Sequence, residues 1–94
     1  MAKPLATATG RRKASSAFVR LFPGSGNITV NGKAALDYLK REVLVMAVEQ
    51  PMEVTETAGT YDIIAHTKGG GLSGQAGAIR LGLSRSLLAL SETY

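Results

Sequence analysis

The feature that most constrains the fold is a glycine-rich run at residues 69–77, GGGLSGQAG. Before it, residues 61–67 read YDIIAHT, a β-branched and aromatic segment typical of a strand that is apolar enough to lie centrally in a sheet. The glycines stop that strand, and Ser73 is predicted to cap a helix that extends to about Leu90. The fold must therefore contain a strand that enters a glycine loop, which then opens a long helix.

Apolar residues recur along this helix at three- and four-residue steps and form one stripe. The stripe consists of Ala76, Ile79, Leu83, Leu87 and Leu90. Leu81 and Leu88 lie well away from it, and a helix that is apolar on two sides is usually packed between other elements.

Two further strands are predicted earlier in the chain, at residues 17–22 (AFVRLF) and 27–32 (NITVNG). The turn PGSG at residues 23–26 separates them and favours a hairpin. Residues 34–50 change to a helical period, with a break expected near Lys40 and an end at Pro51. The predicted buried stripe of this helix is Leu36, Leu39, Val43 and Met46 or Ala47.

The order of elements is strand, strand, helix, strand, helix, which predicts an α+β fold with helices packed on a small sheet. A length of 94 residues allows one domain, and 45% hydrophobic residues suffice for a modest core. The sequence has no cysteine, which excludes disulfides, thiolate metal sites and a cysteine nucleophile. It also has no apolar run long enough to span a membrane.

Charge is distributed unevenly along the chain. Residues 1–20 hold five cations and no acid, residues 21–62 are net acidic, and residues 63–94 are again net basic. If the two ends meet in the fold, one face is cationic and favours a polyanion such as nucleic acid. A solvated surface that only keeps the protein soluble is the alternative. A basic N-terminus without acids is also compatible with an organelle transit peptide.

The glycine loop admits two interpretations. Free backbone N–H groups at the start of the helix suit an anion, whereas the glycines can equally serve close packing and turns with positive φ. The string matches both a dinucleotide fingerprint and the spacing of a phosphate loop. No further strand follows to carry a ribose-binding acid, and Gln75 and Ala76 stand where a phosphate loop needs Lys and Ser or Thr.

No catalytic constellation is visible. His66 has no second histidine or cysteine to complete a metal site or triad, so it is expected to face solvent or bond locally. The carboxylates of residues 53–62 show no periodic pairing, and the aromatic residues are too few and scattered for a base-stacking platform. We therefore expect no enzyme activity, cofactor or metal.

Two long motifs carry a resemblance to a known family. Residues 9–17, TGRRKASSA, and residues 69–80, GGGLSGQAGAIR, resemble the family of the ninth protein of the small ribosomal subunit, of bacterial or organellar type. The likeness runs from about Ala8 to Leu90 and includes FPGSG at 22–26, ITVNG at 28–32 and EQP at 49–51.

The resemblance implies the fold class of the second domain of the fifth small-subunit protein. It also implies a structural protein of translation that binds and stabilises ribosomal RNA of the small-subunit head, beside neighbouring head proteins, on a cytoplasmic or organellar ribosome. The RNA contacts it implies are Arg11, Arg12, Lys13, Lys68, Gly70, Gly71, Ser73, Gln75 and Arg80. Lys68, Arg80 and Arg85 are predicted to flank the glycine loop.

The family pattern also includes a further strand and a very basic tail that reaches the tRNA, and neither is present here. We therefore expect residues 1–9 as an N-terminal extension and residues 10–94 as one domain, truncated at its C-terminus and without the tRNA contact. Two alternatives stay open. One is a phosphate-binding fragment related to kinases of the galactokinase and homoserine kinase type, and the other is a module that pairs through a sheet edge.

Overall fold

In the computed structural model, residues 3–57 and 59–92 are described, and they form five strands and three helices. The strands are β1 (Ala6–Arg12), β2 (Ser15–Pro23), β3 (Ile28–Val30), β4 (Lys33–Ala34) and β5 (Tyr61–Lys68). The helices are α1 (Ala35–Leu39), α2 (Glu42–Val54) and α3 (Leu72–Glu92). The first two residues of the predicted N-terminal extension (1–9) and the last two of the predicted domain (10–94) lie outside the described residues.

The strands form one mixed sheet in the order β1-β2-β5-β3-β4. Only β3 and β5 are parallel. The predicted α+β class, with helices packed on a small sheet, is confirmed, and β5 is the central strand as expected. The predicted hairpin between residues 17–22 and 27–32 is wrong, because β5 lies between β2 and β3. The real hairpins join β1 to β2 and β3 to β4.

Strand β1 was not predicted, and it begins at Ala6, inside the segment expected to be an extension. Its inward residues are Ala6, Ala8 and Gly10, which give no hydrophobic alternation. Small residues are needed here because α3 crosses at close range. A Cβ on Gly10 would lie 2.5 Å from the backbone nitrogen of Gly82 and would also meet the carbonyl oxygen of Ala78.

The predicted helix over residues 34–50 is split between α1 and α2 as expected, by Lys40 with φ 70°. The rotation at this break changes which side chains face the core. Leu36, Val43 and Met46 are 46%, 65% and 65% exposed, whereas Val48 and Met52 are buried. Of the predicted stripe, Leu39 is buried and Ala47 is half-buried, so the rest of this prediction is wrong.

The predicted end of the helix at Pro51 is also wrong. Pro51 lies inside α2 and is buried, and the helix continues to Val54. A proline removes one backbone hydrogen bond from a helix. Here the carbonyl oxygen of Pro51 accepts bonds from the backbone N–H (3.2 Å) and hydroxyl (2.8 Å) of Thr55, which help to close the last turn.

The core lies between the helices and one face of the sheet. Its largest fully buried members are Leu21, Leu39, Ile63, Ile79, Leu83, Val19, Val30 and Val48. The predicted stripe of α3 is confirmed, since Ile79 and Leu83 are fully buried. Leu81 and Leu88 are 38% and 61% exposed, so α3 is not enclosed on two sides within the described chain. None of the described helices is both long and apolar enough to cross a bilayer.

The described helices pack on one face of the sheet, and the side chains of each strand alternate between that face and the other. Ala17, Val19 and Leu21 of β2 point to the helices and are buried. We call the other side the open face. On β1, β2 and β5, the residues of alternate register there are Thr7, Thr9, Arg11, Ser16, Phe18, Arg20, Phe22, Asp62, Ile64, His66 and Lys68.

Candidate nucleic-acid interface

The two basic motifs meet at one end of the sheet. Lys13 and Ala14 form the two-residue turn between β1 and β2, with φ of 55° at Lys13. The antiparallel pairing of β2 with β5 places Ser16 opposite Lys68, so the glycine loop after β5 lies beside this turn. The two basic segments therefore meet as expected, but their side chains do not share one face, because Arg11 and Lys68 have open-face register and Arg12 does not.

The glycine loop is shaped by close packing. Gly69 and Gly70 have φ of 79° and 58°, in the left-handed region that favours glycine. A Cβ on Gly69 would meet the carbonyl oxygen of Ala14, and one on Gly70 would meet the hydroxyl of Ser15. That hydroxyl donates a 3.0 Å hydrogen bond to the carbonyl oxygen of Gly69. The packing interpretation of the glycines is therefore confirmed, and it leaves the loop exposed.

Gln75 requires a correction, because it does not face solvent as an RNA contact would. It is only 8% exposed, and its Nε2 donates to the carbonyl oxygen of Gly69 at 3.0 Å. Its Oε1 accepts from the hydroxyls of Tyr38 at 2.6 Å and Thr67 at 3.1 Å. Both ends of the amide are used inside the protein, so Gln75 fastens the start of α3 to β5 and α1.

The start of α3 also differs from its prediction. The helix begins at Leu72, so Ser73 is its second residue and not the cap. The first backbone N–H groups of a helix have no acceptor within it and carry partial positive charge. No acidic residue lies in this first turn. Gly71, Leu72 and Ser73 are exposed, so an anion can approach these N–H groups from solvent.

Arg12 connects the turn to α3. It lines one cavity of about 370 Å³ with Lys13, Gly70, Gly71 and Ser73. It also lines a second cavity, of about 310 Å³, together with Arg11, Gly77 and Arg80. Gly77 makes room for it, since a Cβ there would lie 2.5 Å from Cδ of Arg12. The side chain of Arg12 thus belongs to the lining of both cavities.

We call the basic side chains around these surfaces the cationic end. They are Arg11, Arg12, Lys13, Lys68 and Arg80, all of them exposed. None of the five forms an ion pair with another residue of the described segments 3–57 and 59–92. Glu42, Glu49 and Glu53 lie on α2, which does not touch β1 or β2 but packs on α3 and lines a cavity with Arg80. The charges of Arg11, Arg12, Lys13 and Lys68 are therefore remote from the acids of α2.

Arg85 lies elsewhere than predicted. Its Nη1 donates to the carbonyl oxygen of Thr9 at 2.8 Å, so it ties α3 to the middle of β1 and does not flank the glycine loop. His66 is exposed and its Nε2 lies 2.9 Å from Nη2 of Arg20, the local bond that was expected. Because a guanidinium can only donate, His66 accepts through Nε2.

The next question is whether the described histidine and carboxylates form a metal site. In the described part of the chain, no group of three or more His, Cys, Asp or Glu residues could hold a metal ion. Among the described carboxylates, Asp62 has a clearly shifted pKa, and its Oδ1 accepts hydrogen bonds from the backbone N–H groups of Ser25 and Asn27, at 3.0 and 3.1 Å. These bonds lower its pKa and hold the loop between β2 and β3.

Sequence analysis missed one residue of this region. Phe18 is one of the aromatic residues that are too scattered in sequence to predict a base-stacking platform, but it is 43% exposed on the open face. The signal was available in the alternation of β2, in which Ala17 and Val19 are buried and Phe18 and Arg20 point the other way. A strict two-residue period would have separated the two faces.

The structure is therefore a small α+β domain with an exposed cationic end beside an exposed glycine loop. The sequence model of the family Ribosomal protein S9/S16 matches residues 10–94, which is most of the chain and includes both basic motifs. This family consists of structural, non-enzymatic components of the small ribosomal subunit, which places the protein on the ribosome in translation. The chain belongs to the Ribosomal protein S9/S16 family.

Proposed function

We propose that this protein binds ribosomal RNA of the small-subunit head through the cationic end and the glycine loop, and thereby stabilises the folded RNA. The contacts proposed are Arg11, Arg12, Lys13, Lys68, Gly70, Gly71, Ser73 and Arg80. Gln75 is left out because its amide is used internally. The observation that carries the proposal is Arg12, whose side chain joins two concave surfaces lined by cations and glycines.

Each group has a physical role against a phosphate backbone. Arginine presents a planar fork that can hold two phosphate oxygens, and lysine acts as a point charge. The N–H groups of Leu72 and Ser73 at the start of α3 add directional donors. Such contacts fix the position and orientation of the protein on RNA but do not read base sequence. Bringing cations between phosphates also reduces the repulsion that opposes RNA folding.

Neither alternative, the fragment related to kinases of the galactokinase type or the module that pairs through a sheet edge, gains support. The same holds for a phosphate loop of the lysine-containing kind. A phosphate loop needs a lysine where Gln75 stands, and Gln75 is buried in a protein network. The family match covers the same residues and belongs to a structural family.

The test is the salt dependence of binding to a transcript of small-subunit head RNA. The logarithm of the binding constant should fall linearly with the logarithm of salt concentration, with a slope set by the number of phosphates contacted. Arg12→Ala should weaken binding and make the slope shallower by about one. Fluorescence anisotropy of labelled RNA at four or more salt concentrations measures both quantities.

Lys33→Ala is the matched control. Lys33 is also exposed and cationic, but it lies on β4 at the opposite edge of the sheet. This variant should keep the affinity and the slope of the wild-type protein. The proposal is wrong if the wild-type protein does not bind this RNA, if its affinity is independent of salt, or if both variants lose affinity equally.

A further inference from the structure

The open face of the sheet carries an exposed aromatic ring at its centre. Phe18 lies on β2, with Thr9 of β1 opposite it on one side and His66 of β5 on the other. Its side chain is 43% exposed although two strands flank it, because the helices pack on the other face. Packing within the protein therefore covers only part of the Phe18 side chain and leaves a large apolar surface in solvent, where a ligand can contact it.

Polar and cationic side chains surround this ring. In the row of paired residues next to Phe18, Arg11 and Lys68 lie on either side of Ser16. In the row on the other side of Phe18, Arg20 pairs with Ile64, and its guanidinium bonds to His66 in the Phe18 row. Phe18, His66, Arg11 and Lys68 all line one concavity of about 300 Å³. The surface thus combines a flat apolar ring with charges of one sign.

The acid nearest to this surface along its strands is already engaged. Asp62 lies on the open face at the other end of β5 from Lys68. Its Oδ1 accepts bonds from the backbone N–H groups of Ser25 and Asn27. It therefore does not neutralise the cations around Phe18, and the surface around the ring remains attractive to anions.

We propose that the open face binds an unpaired segment of RNA, with one base stacked on Phe18 and the adjoining phosphates held by Arg11 and Lys68. An exposed aromatic ring beside cations suits a ligand that is both anionic and built of planar rings. Bases in a duplex are stacked on each other and cannot reach such a ring, so the ligand must be single-stranded. This inference rests on the proposed RNA-binding function and adds a second mode of contact on a different face.

The two modes use neighbouring residues that point apart. Arg12 has the register of Gly10 and lies on the helix side, where it lines the surfaces next to the glycine loop. Arg11 is on the edge strand, with open-face register, and lines cavities on both sides. One RNA can therefore contact the glycine loop with its backbone and send an unpaired base around the edge of β1 to Phe18.

The experiment compares the full-length protein with Phe18→Ala and Phe18→Tyr. The probes are a ten-nucleotide single-stranded RNA with a central 2-aminopurine and a blunt RNA duplex of the same length. Stacking on an aromatic side chain contributes enough that its removal should weaken single-strand binding by about 5- to 150-fold. We expect that loss in Phe18→Ala, together with loss of 2-aminopurine quenching, and near-normal values in Phe18→Tyr. Duplex affinity should stay unchanged in both.

A second measurement uses only the wild-type protein, so it does not depend on how a variant folds. Single-stranded RNA containing 4-thiouridine is crosslinked by light and the protein is digested with trypsin. Cleavage after Lys13 and Arg20 releases residues 14–20, which contain Phe18. Crosslinks in this peptide support the inference. Crosslinks confined to other peptides overturn it.

The outcomes separate this inference from the proposed function. If the wild-type protein binds head RNA and Phe18→Ala binds the single strand equally well, only the open-face inference fails. If the wild-type protein binds neither RNA, both fail. Concentration-dependent self-association that Phe18→Ala abolishes would assign the open face to a second copy of the chain and overturn the inference.

Discussion

The two faces of the sheet use their residues in opposite ways. On the helix-covered face, Gly10 and Gly82 bring the backbones of β1 and α3 together, and buried aliphatic residues fill the remaining space. On the open face, Phe18, Arg11 and Lys68 keep their side chains in solvent. Most residues on the first face are buried and contribute to folding, whereas most on the second keep their side chains available to a ligand. Arg12 is an exception, because it has helix-side register at the end of β1 but is exposed.

The glycine loop combines residues that pack inside the protein with backbone groups that stay accessible to solvent. Gly69 and Gly70 adopt positive φ and pack against Ala14 and Ser15, while the N–H groups at the start of α3 stay accessible. Adjacent residues of one segment therefore shape the protein and leave N–H donors open to solvent. Measuring the free energy of unfolding without RNA and, separately, the affinity for RNA distinguishes the contribution of each residue to stability from its contribution to binding.

The largest effect is expected for Gly10→Ala, which would break the packing of the covered face. The new Cβ would collide with the carbonyl oxygen of Ala78 and the nitrogen of Gly82, both of which are backbone atoms and cannot rotate away. We expect the free energy of unfolding to fall by about 3 kcal/mol, at the upper end for overpacked sites. Chemical denaturation without RNA measures it.

Gly71→Ala is the matched control for this substitution. No heavy atom lies within 4 Å of a Cβ placed on Gly71, and its φ is not positive. Its free energy of unfolding should stay within about 0.5 kcal/mol of the wild-type value. An equal decrease in the free energy of unfolding of the two variants would show that close packing of β1 against α3 does not limit the size of residue 10.

A smaller loss is expected for Gln75→Leu, which sharpens the distinction between structural and binding residues within the glycine motif. Leucine keeps most of the apolar volume but leaves the hydroxyls of Tyr38 and Thr67 and the carbonyl oxygen of Gly69 without this partner. We expect a loss of about 2 kcal/mol in the free energy of unfolding. Thermal and chemical denaturation without RNA provide the measurement.

Ser73→Ala serves as the comparison, since Ser73 lies in the same first turn but is exposed. Its stability should change little. If Gln75→Leu unfolds at the wild-type midpoint, the hydrogen-bond network does not hold the loop, and Gln75 would return to the set of candidate RNA contacts.

The sequence predicted those parts of the fold that depend on local patterns. The central strand β5 and the buried stripe of α3 were correct because apolar residues alone define them. Strand β1 was missed because its inward residues are Ala and Gly, which follow the shape of α3 and show no hydrophobic period. The pairing of β2 was wrong because its partner β5 lies about 40 positions further along the chain, and a local turn signal cannot indicate it.

The candidate site shows the same limit. The meeting of the two basic motifs was predicted from charge and from the assumption that the strands are neighbours, and β2 and β5 are indeed paired. The role of Gln75 could not be predicted, because its partners Tyr38 and Thr67 come from other elements. Phe18 could have been found from the alternation of β2 alone, since burial there follows a two-residue period.

The smallest expected effect concerns Asp62, the structural residue at the far end of the open face. The backbone N–H groups of Asn27 and Ser25 hold the pKa of its carboxyl below the ordinary 3.8. A carboxyl whose pKa is lower in the folded protein stabilises the fold above its unfolded pKa, and this contribution is lost as the pH falls through the folded pKa. Asp62→Asn removes the charge but keeps an oxygen acceptor for the same N–H groups.

We therefore expect Asp62→Asn to melt slightly below the wild-type protein at pH 7, with the difference narrowing as the pH falls below 3.8. Thermal melts between pH 7 and pH 2.5 measure this difference. A gap that stays constant over this range would mean that the charge of Asp62 does not hold the loop. In that case its carboxylate would be free to oppose RNA, and the contrast between an acidic structural end and a cationic binding end of the open face would fail.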